Sequence, residues 1–241
     1  MEFNMQKNKT LILSTKNISD SLVATASLYD VEIDQVSFIA THEIIEPIIE
    51  KRIQAISQES HFVVFTSSNA VNAVSKMVKE KPAWKIYCIG PKTQMLVAEA
   101  FGAESILETG KNAQELCEKI MSNSSIKKMI FFSGNQRRDE LPEKLTEHGI
   151  ELEELVVYET IETPTSVSKN YDGILFFSPS AVRSFFSKNK INSEAALFAI
   201  GNTTTDEIKL FTNQTVNTPE IPSAEKMVCA AIQHFSKIKI S

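Results

Sequence analysis

The chain has 241 residues, of which 42% are hydrophobic and 23% charged, enough to bury the core of one large domain or two small ones. Its net charge of −5 excludes a broad nucleic-acid footprint, which needs a basic surface. Cys88, Cys117 and Cys229 lack C-x-x-C spacing and cannot all pair, which fits reduced thiols; the stretch before Thr10 has no apolar h-region and no apolar run approaches membrane length, so the expected location is the cytoplasm, without membrane or nucleic-acid partner.

Taken in order, Leu11-Ile12-Leu13 is a short apolar run ending in Ser14-Thr15 and predicts a buried strand. Ser19 or Asp20 is placed to cap a helix through Leu28. Val31 to Ile39, mixed and rich in β-branched residues, predicts one strand. Pro47 to Ile56 predicts a helix with Ile48, Ile49, Ile53 and Ile56 on one side. Phe62-Val63-Val64-Phe65 is continuously apolar, hence a strand covered on both faces. Ser67 or Ser68 then caps a helix whose inner face is Ala70, Val71, Val74, Met77 and Val78. Ile86 to Ile89 is the next strand, Gly90-Pro91 turns into a helix stopping at Gly102, Ser105 to Leu107 is a short strand, and Ala113 to Met121 a helix.

Further on, Met129 to Phe132 predicts a strand followed by the loop Ser133-Gly134-Asn135 with Arg137 and Arg138, then a helix from Asp139 to Gly149. Leu152 to Thr160 predicts a strand, with Tyr158 near its end. Ile174 to Phe177 is again continuously apolar, and Ser178 with Pro179 opens a helix faced by Ala181, Val182, Phe185 and Phe186. Leu197 to Ile200 is a strand, Thr204 and Glu207 have capping-box spacing, Thr215 to Asn217 is a short strand, and Ala224 to Phe235 the last helix. Alternating strands and helices define an α/β fold with parallel sheets and right-handed crossovers.

Part of the chain occurs twice. Phe65-Thr66-Ser67-Ser68-Asn69-Ala70-Val71 matches Phe176-Phe177-Ser178-Pro179-Ser180-Ala181-Val182 at a displacement of 111 residues (176 − 65). The same displacement carries Ile89-Gly90-Pro91-Lys92-Thr93 onto Ile200-Gly201-Asn202-Thr203-Thr204, and Ala113 onto Ala224. A duplicated βαβαβα unit, and hence two similar lobes, is the expectation.

In such sheets ligands bind beyond the carboxyl ends of the strands, where both serine-rich turns, both Ile-Gly turns and the loop Ser133 to Arg138 fall. Each of the four turns opens a helix whose first N–H groups lack partners and attract carboxylates or phosphates. Ser67, Ser68, Thr93, Ser178, Ser180, Thr203 and Thr204 add hydroxyls, and Lys92, Arg137, Arg138 and Arg183 add charge. The set suits an anion with several separated negative groups, although any one serine or threonine there needs no ligand to explain it. Tyr158 is either a donor or acid reaching the site or a half-buried phenol with its hydroxyl in water. Neither G-x-G-x-x-G nor a P-loop occurs, which disfavours a nucleotide-dependent enzyme. His42, His61, His148 and His234 show no ligand spacing, so no metal is expected. There is no G-x-S-x-G elbow, and Cys88 reads as a buried filler.

These turns, with Arg138-Asp139-Glu140-Leu141-Pro142 and Val157-Tyr158-Glu159-Thr160, resemble the uroporphyrinogen-III synthase family over roughly residues 60 to 235. The resemblance implies two similar Rossmann-like (flavodoxin-like) lobes with parallel sheets, joined by a two-stranded β-ladder. Residues 1–36 plus 162–241 would form one lobe and 40–158 the other, with the active site in the cleft between them. It implies cyclisation of the linear tetrapyrrole hydroxymethylbilane to uroporphyrinogen III, with loss of water, inversion of ring D and no cofactor. Tyr158 matches the family's tyrosine that assists departure of the hydroxyl. Thr66, Ser67, Ser68, Asn69, Pro91, Lys92, Thr93, Gly134, Arg138, Ser178, Ser180, Ala181, Gly201, Asn202, Thr203 and Thr204 are the expected substrate-holding positions. Asn202 stands where the family often has proline, and Lys16 where an arginine is common. A monomer in transient contact with the enzyme of the preceding step is expected. The competing reading is a two-lobed binding or sensor module for an anionic small molecule.

Overall fold

The computed structural model describes residues 9–236. Of these, the residues up to Ala40 and from Ile161 onward form one compact unit (unit 1), and Thr41–Thr160 form a second (unit 2). In chain order the elements are β1 (Thr10–Ser14), α1 (Asp20–Ser27), β2 (Val31–Gln35), β3 (Ile39–Glu43), α2 (Pro47–Ser57), β4 (Phe62–Phe65), α3 (Ser68–Met77), β5 (Lys85–Ile89) and α4 (Pro91–Phe101). A single 3₁₀ turn, Ala103–Ser105, leads into β6 (Ile106–Gly110), α5 (Ala113–Met121), β7 (Lys128–Gly134), α6 (Glu140–Glu147) and β8 (Glu151–Glu162). Then follow β9 (Gly173–Phe176), α7 (Pro179–Phe186), β10 (Ala196–Ala199), α8 (Asn202–Lys209), β11 (Val216–Asn217) and α9 (Ala224–Ser236).

Unit 1 is built on a sheet of order β2-β1-β9-β10-β11, parallel throughout. The other sheet runs β3-β8-β7-β4-β5-β6, and β4 to β8 are mutually parallel. Alternation along each strand fills a core on both faces. Val63, Phe65, Ile86, Cys88, Ile130 and Phe132 point to one side of β4, β5 and β7, and Val64, Tyr87, Met129 and Phe131 to the other. In the unit 1 sheet Leu13, Ile174, Phe176 and Leu197 face one cluster, and Ile12, Leu175 and Phe198 the opposite one. All of these are buried, and each large apolar side chain so placed contributes about 1.5–3 kcal/mol.

The 111-residue displacement maps β4 onto 173–176, which is β9, and maps the starts of α4 and α5 at 91 and 113 onto 202 and 224, the starts of α8 and α9. The likeness goes further than the repeat. Matching β9-β10-β11 with β4-β5-β6 places β1 and β2 where β7 and β8 lie, so both sheets share one five-strand layout. The chain order is permuted: β7-α6-β8 follows its repeat, whereas β1-α1-β2 precedes it.

Several expectations are corrected. Val31 to Ile39 is not one strand: the chain leaves β2 at Gln35, buries Phe38 edge-on against Phe185 (centroids 5.4 Å apart), and begins β3 at Ile39. In α2, Ile53 and Ile56 are buried and Ile49 packs against them, but Ile48 is 72% exposed. Positions 49, 53 and 56 share a helical face that 48 does not. The strand expected at Ser105 to Leu107 starts at Ile106 and extends to Gly110, after the 3₁₀ turn.

Candidate active site

Strand order reverses once in each layout, and ligands of doubly wound sheets bind at that point. In unit 1 it lies between β1 and β9, and in unit 2 between β4 and β7.

At the unit 1 reversal, Thr15 Oγ1 donates to the Leu175 carbonyl (2.8 Å) and accepts from Phe177 N–H (3.3 Å), locking the ends of β1 and β9 together. Lys16 follows, its Nζ 4.5 Å from the centroid of the Phe177 ring, a cation–π distance. Sequence reasoning took Ser14-Thr15 only as a strand ending and missed this tie; a hydroxyl pair closing an apolar run was the available signal. Ser178 caps α7, its Oγ accepting from Ala181 N–H (3.2 Å) and lying 3.2 Å from Ser180 Oγ. Ser180 is only 4% exposed, so its hydroxyl braces the turn from inside.

The neighbouring turn opens α8. Gly201 is its N-cap in extended backbone and supplies no capping side chain, which leaves the Asn202 and Thr203 N–H groups at the helix mouth without one. Asn202 and Thr203 are exposed, whereas Thr204 is 1% exposed. The capping box expected from Thr204 and Glu207 does not form: Thr204 lies inside the helix, and Glu207 pairs with Arg183 Nη1 at 3.2 Å. Arg183 Nε also holds Glu162 at 2.9 Å, so Arg183 is not a free charge for a ligand.

At the unit 2 reversal, Ser67, not Ser68, caps α3, its Oγ accepting from Asn69 N–H at 3.2 Å. Thr66, Ser67, Ser68 and Asn69 are all half-buried around this turn. One strand over, Gly90 takes φ +82 and a Cβ there would meet nothing within 4 Å, so glycine is required by backbone conformation and not by space. Gly90 gives α4 no side-chain cap, Pro91 has no N–H, and the Lys92 and Thr93 N–H groups stand at the mouth. Lys92 is exposed and has no hydrogen bond or ion pair among the described residues, while Thr93 is 5% exposed.

The loop after β7 completes this end. Gly134 pairs with Tyr158 where the β7–β8 register shifts, and a Cβ on Gly134 would come within 2.7 Å of the Tyr158 hydroxyl oxygen. The loop is stitched to β8 by Asn135 N–H to the Tyr158 carbonyl (3.1 Å), Thr160 N–H to Asn135 Oδ1 (2.9 Å) and Gln136 Nε2 to the Thr160 carbonyl (3.1 Å). Tyr158 is half-buried, and its hydroxyl has no partner among the described residues.

Arg137, expected to add charge, is consumed. Its Nε and Nη2 form a fork on Glu154 (2.7 and 2.9 Å), and Nη1 pairs with Asp139. Ser133 Oγ adds a bond of 2.6 Å to Glu154. These bonds, Arg137 first, hold the Glu154 carboxyl below its ordinary range, and Glu154 in turn raises the guanidinium. Glu154 was invisible in sequence because it is one of three glutamates among residues 151–154, and nothing in the letters marks it as the partner of Arg137. Arg138 is exposed and, like Lys92, has no hydrogen bond or ion pair among the described residues. Burial pushes the Cys88 thiol up to about 11, which fits an inert filler. No three His, Cys, Asp or Glu among the described residues gather as a metal-binding group, and no described helix is long and apolar enough to cross a membrane.

Parallel sheets whose strand order reverses once, with helices opening at and beside the reversals, define a doubly wound α/β protein. The chain belongs to the uroporphyrinogen-III synthase family: the family description "Uroporphyrinogen-III synthase HemD" (HEM4) matches residues 20–229. Among solved structures it is similar to uroporphyrinogen-III synthetase from Helicobacter pylori (16% identity, 93% of this chain and 99% of that one, TM-score 0.67). It is also similar to a mutant uroporphyrinogen III synthase from Thermus thermophilus (15% identity, 95% and 98%, TM-score 0.63). Both share the α/β fold of this chain. The family's activity is a cofactor-independent lyase reaction of heme biosynthesis on a tetrapyrrole, and it is the activity of this chain.

Proposed function

We propose that the chain closes hydroxymethylbilane to uroporphyrinogen III using the helix mouths described above. The carboxylates of the substrate's side arms are received by the N–H groups opening α4 and α8 and by the serine turns opening α3 and α7. Thr66, Ser67, Ser68, Asn69, Pro91, Lys92, Thr93, Gly134 and Arg138 supply one part of the holding set. Ser178, Ser180, Ala181, Gly201, Asn202, Thr203 and Thr204 supply the other. Within these, Lys92 and Arg138 provide unpaired positive charge, and buried Thr93, Ser180 and Thr204 keep the mouths in shape.

Tyr158 sits where a proton is needed. It assists departure of the substrate hydroxyl, which leaves as water and creates an electrophilic azafulvene. The fourth ring attacks through a spiro intermediate, reopens inverted and closes, and the proton finally lost restores the balance. The substrate closes unaided to the wrong isomer, so the main contribution of the protein is orientation. The same lability favours a transient contact with the enzyme of the preceding step, in the cytoplasm, with this chain a monomer.

We also assign the lobes as residues 1–36 plus 162–241 and residues 40–158, with β3 and β8 as the joining two-stranded ladder. The bonds Ile44 N–H to Val157 O (3.0 Å) and Thr163 N–H to Phe38 O (2.9 Å) support that pairing. The observation that carries the functional reading is the Tyr158 hydroxyl, without a partner among the described residues and seated against Gly134 at a strand-order reversal. The test is product analysis: purified protein and hydroxymethylbilane, with nothing added, give the III isomer. Formation of the I isomer alone ends the proposal.

A further inference from the structure

Unit 1 has a hollow of about 210 Å³ at the N-terminal ends of β9 and β10, and hence away from the strand ends that carry the turns. It lies between the segment before β9 and the one before β10. Its lining includes Lys169, Lys188 and Lys190 and no aspartate or glutamate, in a chain whose net charge is −5. Lys169 is tied to Asp34 at 2.7 Å, which Tyr171 also contacts through its hydroxyl at 3.1 Å. Lys188 and Lys190 are exposed and have no hydrogen bond or ion pair among the described residues. The side chains of Ser166, Ser168 and Asn170 on the opposite wall are equally without partners there. Ile174, Phe185 and Ile191 give the hollow an apolar floor.

The hollow is built by a buried amide. Asn189 Nδ2 donates to the Thr165 and Phe185 carbonyls (2.8 and 2.9 Å), and Oδ1 accepts from Val167 N–H (2.9 Å). That one side chain pins both walls, so the lysines and hydroxyls are presented by a preset frame, which lowers the ordering cost of binding.

We propose that this hollow is a binding site for a small dianion with a short apolar body, an aryl or alkyl phosphate or a dicarboxylate. Lys188 and Lys190 pair with its charges, Ser166 and Ser168 donate to its oxygens, and the floor takes the apolar part. The site is separate from the reaction chemistry and does not depend on it.

Calorimetric titration of the full chain at constant ionic strength, with phenyl phosphate in one arm and phthalate in the other, tests this. One-to-one binding is expected in at least one arm, which also tells phosphate from carboxylate. The K188Q/K190Q variant is expected to bind roughly 100-fold more weakly, about tenfold per charge-assisted contact, with thermal stability and III-isomer formation unchanged. A K92Q/R138Q variant keeps wild-type binding. Undiminished binding by K188Q/K190Q, loss of binding in K92Q/R138Q, or no saturation in either arm by ~10 mM overturns the proposal.

Discussion

Gly134 and Tyr158 form a single unit of packing: the tyrosine ring fills the space that a side chain on residue 134 would need, its Cζ lying closest and its Cε2 next. Alanine at 134 must therefore push the ring aside or shift β7 against β8. Gly134→Ala is expected to cost about 1–3 kcal/mol of stability, as overpacking does, and to lower turnover more than Tyr158→Phe does. Urea denaturation alongside isomer-resolved turnover checks both parts; wild-type turnover in the variant would separate Tyr158 from the chemistry.

Removing only the hydroxyl is gentler. Tyr158→Phe leaves the ring against Gly134 and takes away the proton donor. Turnover is expected to fall about tenfold, less than the full ~10²–10⁴ of general acid catalysis, because orientation does most of the work. The product remains the III isomer by chromatography. Complete loss of turnover in a folded variant would make the phenol obligatory and orientation secondary.

Glu154 links stability to pH. Its carboxyl sits below the ordinary 4.5 in the folded protein because Arg137 and Ser133 bond the charged form. A depressed carboxyl stabilises the fold fully above its unfolded value, and that stabilisation is lost as pH falls through the folded value. Glu154→Gln is expected to cost about 1–3 kcal/mol at pH 7, typical of a bond to a charged partner. The gap to wild type narrows once pH falls below the unfolded carboxyl value and closes below the depressed folded one, as urea midpoints at neutral and at strongly acid pH would reveal. A constant gap across that range would contradict the assignment.

Lys92 and Arg138 face no partner among the described residues, so their charge is available to a polyacid. Lys92→Gln and Arg138→Gln are each expected to raise KM several-fold, within the ~10-fold that one charge-assisted contact supplies, while kcat changes little. Raising the salt concentration should shrink the difference. Steady-state kinetics at two ionic strengths provides the check, and an unchanged KM in both variants would remove them from the holding set.

Ser178 separates capping from binding. Its Oγ holds Ala181 N–H, so Ser178→Ala is expected to lose about 1 kcal/mol. Threonine at the same position can keep the cap, so Ser178→Thr should retain most of the stability. If the turn also receives substrate, the alanine variant raises KM beyond what its stability loss explains, and the threonine variant does not. Thermal melts and KM for the pair distinguish the two roles.

Much of this was written plainly in the residues. Phe62–Phe65 and Ile174–Phe176 could only be strands covered on both sides, and Ser67, Ser178 and Gly102 sit at the helix ends their chemistry favours. What failed were judgements that depend on the neighbour across space. Ile48 shares a helix with three inward isoleucines yet faces out, because spacing decides the face and composition does not. Glu207 has the right offset from Thr204 for a capping box, but Arg183 claims it. Arg137 and Arg138 are chemically identical in a string of letters, and only the position of Glu154 makes one a strut and leaves the other free. The shared five-strand layout was hidden because a fixed displacement aligns only segments that occur in the same chain order.

That permuted order bears on how the polypeptide reaches its native state. Every strand from β4 to β8 is drawn from one uninterrupted stretch, so unit 2 can close as soon as Thr160 has left the ribosome. The β1–β9 pairing instead joins Ile12 to Gly173, 161 residues apart (173 − 12), and must wait for most of the chain to be made. Long loop closure of that kind slows folding. Amide protection during refolding is therefore expected to arise first at Val63 and Ile130 and later at Ile12 and Ile174. Simultaneous protection would mean that the early half waits for the late one.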